Sequence, residues 1–260
     1  MLAVVCMKWG TAFSHDYVNV LHSGVIRNVS EPVRFICFTD DPRGLRPGIE
    51  VREIPNMQLT EERKGKGCWP KLALFKPSLV EDVDLMLYLD LDVIINSSLD
   101  PLITRARERG GFHTVREWNY GLWTFVPRSL RPVRGVQSSV CAWRPEEYHY
   151  IYLDFMADQE AAYRRDDNDQ LHLTRAVKDL HYLPYHSVVS FKRSCLWYYP
   201  LNRIFREVRK PEQAQIIIFH GRPRPHDLVQ DGNARWGTRR KFGFGPVPWV
   251  KDYWLAGLRG

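Results

Sequence analysis

The stretch LMLYLDLDVII, residues 85–95, decides the fold, because nine of its eleven positions are apolar or aromatic and the other two are Asp90 and Asp92. Such a run, bounded by Asp84 and Asn96, is typical of a strand buried on both faces. If the strand continues through both carboxylates, they point to the same side. Like charges repel, and an unpaired buried carboxylate costs several kcal/mol, so a positive partner is expected nearby.

A divalent cation would satisfy this carboxylate pair, since hard cations take oxygen ligands. The alternative is that both carboxylates cap the strand end and face water, paired with arginine. The long apolar lead-in favours the ligand site, because ligands of open α/β sheets bind at the carboxyl ends of buried strands.

Composition is that of a globular protein: 260 residues, 44% hydrophobic and 26% charged. The first ten residues, MLAVVCMKWG, predict a strand rather than a signal peptide, because they lack a basic start and their apolar run is short. We therefore expect a cytoplasmic protein.

The five cysteines are scattered without a CxxC motif, which argues against a disulfide framework and a structural zinc site.

Positive charge is concentrated near the C-terminus. Residues 192–245 contain 12 Lys and Arg against 4 Asp and Glu, a net charge of +8, whereas the whole chain carries +7. This favours an anionic partner, either a phosphate-bearing substrate or a membrane surface; the alternative is an ordinary solvated basic face. Nucleic acid is not expected, because no nucleic-acid-binding motif is present.

Strands and helices alternate in the first half, which predicts an α/β fold with a mostly parallel, doubly wound sheet. The predicted strands are LAVVCM, VRFICFT, IEVREI and residues 85–95, with a helix from Ser14 to about Val29 and a short helix WPKLALFKP. The second half predicts a strand VQSSVCAW, one long helix over residues 144–165, a helix capped by Asn168 or Asp167, and a strand AQIIIFHG. We expect one domain, with a nucleotide-binding half (1–100), a donor-sugar and acceptor half (101–245) and an aromatic tail (246–260).

An ordered set of motifs resembles the GT-A glycosyltransferases, and is most similar to the bacterial, family 8-like, retaining enzymes. The set is KWG after the first strand, the DxD in LYLDLDVIINSSLDPL, the strand SSV, a later DQ, and FHGRPRPH after the last strand. Together these motifs span about residues 2–226. The resemblance implies a Rossmann-type GT-A-like fold and a glycosyltransferase that builds polysaccharide.

The resemblance also implies a nucleotide-sugar donor, usually a UDP-sugar, and Mn²⁺ or Mg²⁺. Asp90, Asp92 and His220 would hold the metal, a mixed oxygen and imidazole set that suits a Mn²⁺-like ion. His220 follows the apolar run IIIF, so it too should end a buried strand. The alternative for His220 is a hydrogen-bonded structural histidine.

Further positions are candidates for contacts with the donor: Lys8, Trp9, Thr39, Asp40, Lys71, Gln137, Ser138, Ser139, Gly221 and Arg224. Arg224 stands where the family has a lysine. Lys71 could equally be a solvent-facing lysine and Trp9 plain core. Asp169 and Gln170, in RRDDNDQL, are the candidate catalytic residues; the alternative is an acidic first helical turn, favoured by the helix dipole.

Three alternatives compete with this interpretation. A HAD-type phosphohydrolase also uses a DxD after an apolar strand with Mg²⁺, but here the DxD lies 90 residues into the chain. An inverting GT-A enzyme is a second alternative. A non-catalytic carbohydrate- or membrane-binding protein would leave the carboxylate pair unexplained.

The tail PVPWVKDYWLAGLRG places Trp249, Tyr253 and Trp254 at helical spacing, close to Lys251 and Arg259. Aromatic and basic residues favour an anionic membrane interface, so the tail could hold the enzyme peripherally on a membrane that carries a lipid-linked acceptor. The alternative is that the aromatic residues pack on the domain while the arginines grip the diphosphate.

Overall fold

Twelve strands form the β-structure in a computed structural model, which describes residues 1–119, 122–123 and 126–260. In chain order they are β1 (Leu2–Lys8), β2 (Val33–Thr39), β3 (Glu50–Arg52), β4 (Leu85–Leu89), β5 (Val93–Ile95), β6 (Phe112–Arg116), β7 (Val136–Trp143), β8 (Leu180–Tyr182), β9 (Val188–Ser190), β10 (Ile216–Ile218), β11 (Arg235–Gly237) and β12 (Phe242–Phe244).

The central sheet has seven strands in the order β3-β2-β1-β4-β7-β6-β8. Strands β3, β2, β1 and β4 are parallel to one another, and β8 is parallel to β6. Within the described part of the chain, β7 is the one strand of this sheet that runs against its neighbours. The mostly parallel α/β sheet predicted from the sequence is confirmed.

Helices cover both faces of this sheet. They are α1 (His15–Asn28), α2 (Glu61–Gly65), α3 (Asp100–Arg109), α4 (His149–Ala157), α5 (Gln159–Arg165), α6 (Asp169–Ala176) and α7 (Pro248–Arg259), with a 3-10 helix at Trp69–Phe75. The side chains of β1 alternate between two cores, since Val4 joins the cluster under α1 and Val5 joins the cluster under the 3-10 helix. Burial on both faces explains why the parallel strands are continuously apolar.

Residues 85–95 form two strands rather than the single strand that we predicted. The backbone N–H of Asp90 still donates to Ser139 O in the central sheet, at 2.9 Å. Two residues later the carbonyl of Asp92 accepts from Phe219 N–H at 3.0 Å, and β5 continues in a second sheet of order β5-β10-β9. We call residues 90–92 the seam. Asp90 and Asp92 therefore lie where the chain passes between two sheets.

The helix predicted over residues 144–165 is also interrupted. It consists of a 3-10 turn at Pro145–Glu147, then α4, then α5. The break lies at Asp158, whose side chain accepts from Ala161 N–H at 2.8 Å and so begins a new helix. Asn168 caps α6 as predicted, accepting from Leu171 N–H at 2.9 Å.

The C-terminal tail forms α7, which packs along α1. Trp254 is buried with its ring edge-on to Tyr17, 4.8 Å between ring centroids, and the hydroxyl of Tyr253 accepts from Ile95 N–H at 3.2 Å. A Cβ at Gly257 would lie 2.8 Å from the Val20 side chain, so the close helix contact requires glycine there. The structure therefore agrees with the alternative in which the aromatic residues of the tail pack on the domain. Among the helices described, none has the length and apolar character that a bilayer-spanning segment needs.

Candidate active site

A cavity of about 690 Å³ opens at the seam, and we call it the central pocket. It lies where β1 and β4 of the central sheet and β10 of the second sheet end. Most of the site residues predicted from the sequence line it: Trp9, Lys71, Asp90, Asp92, Gln137, Ser138, Ser139, Asp169, Gln170, His220, Gly221 and Arg224. Residues from six separate parts of the chain are thus brought together.

Three predicted residues lie outside the central pocket. Lys8 and Thr39 turn to the loop after β2, where Lys8 Nζ and Thr39 Oγ1 both donate to Asp41 O, at 3.4 and 3.1 Å. Asp40 accepts from Gly10 N–H at 2.8 Å and lines an adjoining cavity of about 510 Å³ that also includes Trp9. Asp40 therefore remains available to a ligand that extends beyond the central pocket.

A buried ion pair joins Lys71 to Asp90. The distance from Lys71 Nζ to Asp90 Oδ1 is 2.7 Å, and the Tyr88 hydroxyl donates to the same oxygen at 2.5 Å. Burial alone would lower the pKa of Lys71, but the charge of Asp90 outweighs it and holds that pKa well above its ordinary value. Lys71 is thus a fixed positive charge in the pocket and not a solvent-facing lysine.

Asp92 is the carboxylate that this arrangement leaves without a cationic side chain against it. Burial and then the charge of Asp90 raise its pKa to about 7, although Lys71 and Arg224 act to lower it. A carboxyl that titrates near neutrality has too little positive charge around it. The predicted repulsion between the two acids is therefore present, and Asp92 bears most of it.

A third carboxyl, Asp169, lies at the start of α6. Its pKa is raised to about 6 by burial, and Ser138 Oγ donates to its Oδ2 at 2.9 Å. Its backbone N–H donates to Gly67 O at 2.9 Å; Gly67 has φ +80 and leaves no room for a Cβ, which would lie 2.9 Å from Asp167 O. Glycine here allows the loop before the 3-10 helix to approach α6 closely.

His220 lies just after the end of β10, two residues past Ile218, so it follows a buried strand as predicted. Burial, followed by the charges of Lys192 and Arg193, lowers its pKa to about 4. Its Nε2 is hydrogen-bonded to the Ser190 hydroxyl at 2.7 Å, and its ring stacks on Trp118 with 5.3 Å between centroids. A neutral imidazole at this position is competent to bind a metal ion.

The chemistry of Asp90, Asp92 and His220 fits a divalent cation. Two carboxylates and a neutral imidazole are ligands that Mn²⁺ accepts, and the raised pKa of Asp92 shows that the seam lacks positive charge. In the structure Asp90 is paired with Lys71 and His220 with Ser190. Among the described residues, no group of three or more His, Cys, Asp or Glu side chains is already arranged to hold an ion.

Arg224 connects the loop after β10 to the loop after β1 at the mouth of the central pocket. Its guanidinium stacks over the Phe13 ring, 4.2 Å from the centroid, and donates to Ala12 O. Gly221 lies in the same loop, with φ +72. Arg224 thus places a permanent positive charge at the rim, where a phosphate could reach it.

Sequence reasoning missed Cys68 and Tyr88 in the central pocket, and Glu117 beside it. Cys68 lines it at the start of the 3-10 helix, and Tyr88 could have been found because it lies two strand positions before Asp90. Glu117 had no local signal. It follows β6, and its carboxylate accepts from Gln170 Nε2 at 2.7 Å. Gln137 and Ser139 are partly satisfied by each other, since Gln137 Nε2 donates to Ser139 Oγ at 2.7 Å.

A buried carboxylate, Asp166, anchors the turn that presents Asp169 and Gln170. Its oxygens lie 3.1 Å from Arg165 Nε, 3.1 Å from His172 Nδ1 and 2.8 Å from Arg175 Nε. Asp166 itself is fully buried, and two of its partners belong to α6. These contacts therefore tie the loop between α5 and α6 to the middle and end of α6.

The fold is similar to that of solved glycosyltransferase structures. A complex of the galactosyltransferase LgtC with donor and acceptor sugar analogues matches over 99% of this chain and 95% of that chain, with a TM-score of 0.63 and 14% identity. The glycosyltransferase GlyE of Streptococcus pneumoniae TIGR4 matches over 99% of this chain and 61% of its own, with a TM-score of 0.59 and 14% identity. Mouse xyloside xylosyltransferase 1 matches over 84% and 97%, with a TM-score of 0.50 and 13% identity.

No protein-family model and no curated protein sequence matches the chain. At identities this low the structural likeness defines the fold, which is GT-A-like, as the sequence motifs implied.

The first prediction concerns the titration of Asp92. Because its pKa is raised in the folded state, ionisation of Asp92 destabilises the metal-free protein as pH rises from about 4 through about 7. Asp92→Asn should therefore gain stability over the wild type between about pH 5 and about pH 8, by on the order of 3 kcal/mol. Urea unfolding with a chelator present measures it. The control is Asp231→Asn, whose side chain is 85% exposed. If the stability difference between Asp92→Asn and the wild type did not change with pH, the raised pKa of Asp92 would be contradicted.

The second prediction concerns Asp166. Asp166→Asn removes the buried carboxylate that Arg165, Arg175 and His172 share. Both arginines are more than half exposed and stay solvated, so the cost is that of the lost charge-assisted hydrogen bonds, about 1.5–3 kcal/mol. We expect a loss of this size in chemical denaturation, whereas the neighbouring exposed Asp167→Asn should change stability by less than about 0.5 kcal/mol. Equal effects of the two substitutions would show that Asp166 does not anchor the turn.

Proposed function

We propose that the protein is a glycosyltransferase that moves a sugar from a nucleotide-sugar donor, a UDP-sugar, to a glycan or lipid-linked acceptor. The observation that carries the proposal is the central pocket, in which Asp90, Asp92 and His220 from two different sheets line one cavity together with Asp169. The GT-A-like fold, similar to several solved sugar transferases, supports the same reaction class.

The pocket offers a place for each part of such a donor. The diphosphate would lie near Arg224 and Lys71, the two permanent positive charges at its rim and floor. The nucleoside would extend along Trp9 into the adjoining cavity that contains Asp40. Hydroxyl and amide groups of Gln137, Ser138, Ser139 and Gln170 would hydrogen-bond the sugar.

Asp90, Asp92 and His220 would hold Mn²⁺ or Mg²⁺ in this proposal. When bound, the ion supplies Lewis-acid stabilisation to the diphosphate as it leaves. Lys71 supports this arrangement, because its ammonium lies 2.7 Å from Asp90 Oδ1 and orients that carboxylate at the pocket. The Ser190 hydroxyl fixes the orientation of the His220 ring.

In the transfer itself, the bond from the anomeric carbon to the diphosphate oxygen breaks and the acceptor oxygen bonds to that carbon. Above pH about 6 Asp169 is ionised, and its charge would stabilise the positive charge that develops on the sugar. Gln170 is oriented for contact with the sugar by Glu117. Retention of configuration would follow either from a covalent intermediate or from attack on the same face.

A HAD-type phosphohydrolase has less support. That reaction needs Asp90 as a nucleophile, and here its oxygen is paired with Lys71 and accepts from Tyr88. The resemblance of the fold to sugar transferases also favours transfer.

The third prediction tests donor binding by isothermal titration calorimetry. The wild type should bind UDP when Mn²⁺ is present. Asp92→Ala should lose this Mn²⁺-dependent binding, because a metal ligand has been removed. The control Asp231→Ala removes an exposed carboxylate outside the pocket and should bind as the wild type does. Unchanged UDP affinity in Asp92→Ala, or hydrolysis of p-nitrophenyl phosphate with Mg²⁺, would sink the proposal.

The fourth prediction concerns stereochemistry. With an α-linked sugar donor, the first product should be α-linked, because NDQ and FHG resemble the retaining group. Proton NMR of the anomeric signal in the first-formed product measures it. A β-linked first product would assign the protein to the inverting enzymes instead.

A further inference from the structure

An exposed apolar surface surrounds a second cavity beside the central pocket. Large hydrophobic side chains with high exposure lie in two segments, residues 122–133 and 185–205. They include Leu122 (84% exposed), Ile204 (75%), Leu130 (69%) and Val133 (63%), together with Trp123, Tyr185, Tyr198, Tyr199, Leu201 and Phe205. We call these residues the apolar rim. An exposed cluster of this kind marks a surface that contacts another molecule.

The two segments of the rim lie on either side of a cavity of about 270 Å³. Asn119 and Arg131 line it from one side, and Tyr185 and Tyr198 line it from the other. The Arg193 side chain also joins the two sides, because its guanidinium donates to Asn119 O. The two segments therefore meet at this cavity through Arg131, Tyr185 and Tyr198, although they are more than 50 positions apart in sequence.

Basic residues are mixed with the rim. Arg203, Arg206, Arg209 and Lys210 are exposed in the second segment, where Glu207 is the acidic residue between them. The β11–β12 hairpin adds exposed Arg239 and Arg240 and is tied to this segment, because Asn202 Nδ2 donates to Arg240 O at 3.1 Å. Arg206 stacks over Phe244 of the same hairpin, 5.3 Å from the ring centroid.

We propose that the apolar rim and its arginines form the surface by which the protein docks on an anionic lipid bilayer. Aliphatic tips, tryptophan and tyrosine suit the membrane interface, and the positive charge is complementary to acidic headgroups. A symmetric dimer through this surface would bring the arginines of two copies face to face, so like-charge repulsion opposes it. The helix α7 does not provide this surface, because Val250 and Trp254 are buried in the domain.

The docked orientation would bring the reaction site to the membrane. The second cavity includes Glu117 and Trp118, which contact Gln170 and His220 of the central pocket. A hydroxyl carried at the bilayer surface would then approach through the rim. Docking itself rests on the exposed residues alone and does not require the sugar transfer proposed above.

The fifth prediction is tested with the full chain and vesicles of phosphatidylcholine with or without phosphatidylglycerol. The wild type should float with the anionic vesicles at low salt and be released by high salt. The double variant Leu122→Asp, Ile204→Asp should bind at least about tenfold more weakly. The triple variant Arg203→Gln, Arg206→Gln, Arg239→Gln should lose about 100-fold, since each basic residue contributes about fivefold.

Two matched controls place an acid at an exposed leucine elsewhere: Leu153→Asp on α4 and Leu255→Asp on α7. Both should float as the wild type does. All variants should keep the melting temperature and the UDP titration of the wild type, which separates this proposal from the proposed activity. The proposal would be overturned if the wild type did not float, or if the rim variants floated as well as the wild type. Concentration-dependent dimerisation that the rim substitutions abolish would also overturn it.

Discussion

The contact between Lys71 and Asp90 is the interaction on which the site depends. Three carboxyls surround the ammonium of Lys71, those of buried Asp92 and Asp169 and of partly exposed Asp90, and their mutual repulsion has to be balanced. Lys71 pairs with Asp90 directly at 2.7 Å, while Asp92 and Asp169 retain raised pKa values. In the proposed function this imbalance would favour cation binding, because a bound cation would relieve a repulsion that folding has already imposed.

The backbone explains how such costly groups come to be buried. At the seam the chain leaves the central sheet after Asp90 and enters the second sheet after Asp92, so both residues keep backbone hydrogen bonds, to Ser139 and Phe219, while their side chains open onto the cavity. If residues 85–95 formed one continuous strand, both carboxylates would lie at the edge of a single sheet. The change of sheet brings His220 of β10 to the same pocket as β4, which a single sheet of this strand order does not do.

Around the central pocket, the protein fixes its polar side chains through partners rather than leaving them to solvent. Asp166 ties the loop before α6 to that helix, Glu117 holds Gln170, and Ser190 holds His220. Such preorganisation is what a reaction with a developing positive charge requires, since reorienting dipoles during the reaction would cost free energy. The apolar rim differs in this respect, because its largest aliphatic side chains, Leu122 and Ile204, are mostly exposed to solvent.

The sequence by itself determined the α/β class, the early strands and the residues of the DxD, because apolar periodicity and strand-end carboxylates are local patterns. It also indicated His220, Asp169 and Lys71, but not Tyr88, Glu117 and Ser190, which contact Asp90, Gln170 and His220. Tertiary structure alone decided that residues 85–95 divide between two sheets, that Lys8 and Thr39 turn to Asp41, and that Glu117 meets Gln170. These outcomes depend on hydrogen bonds and charges between segments far apart in the chain, and no local pattern records such contacts.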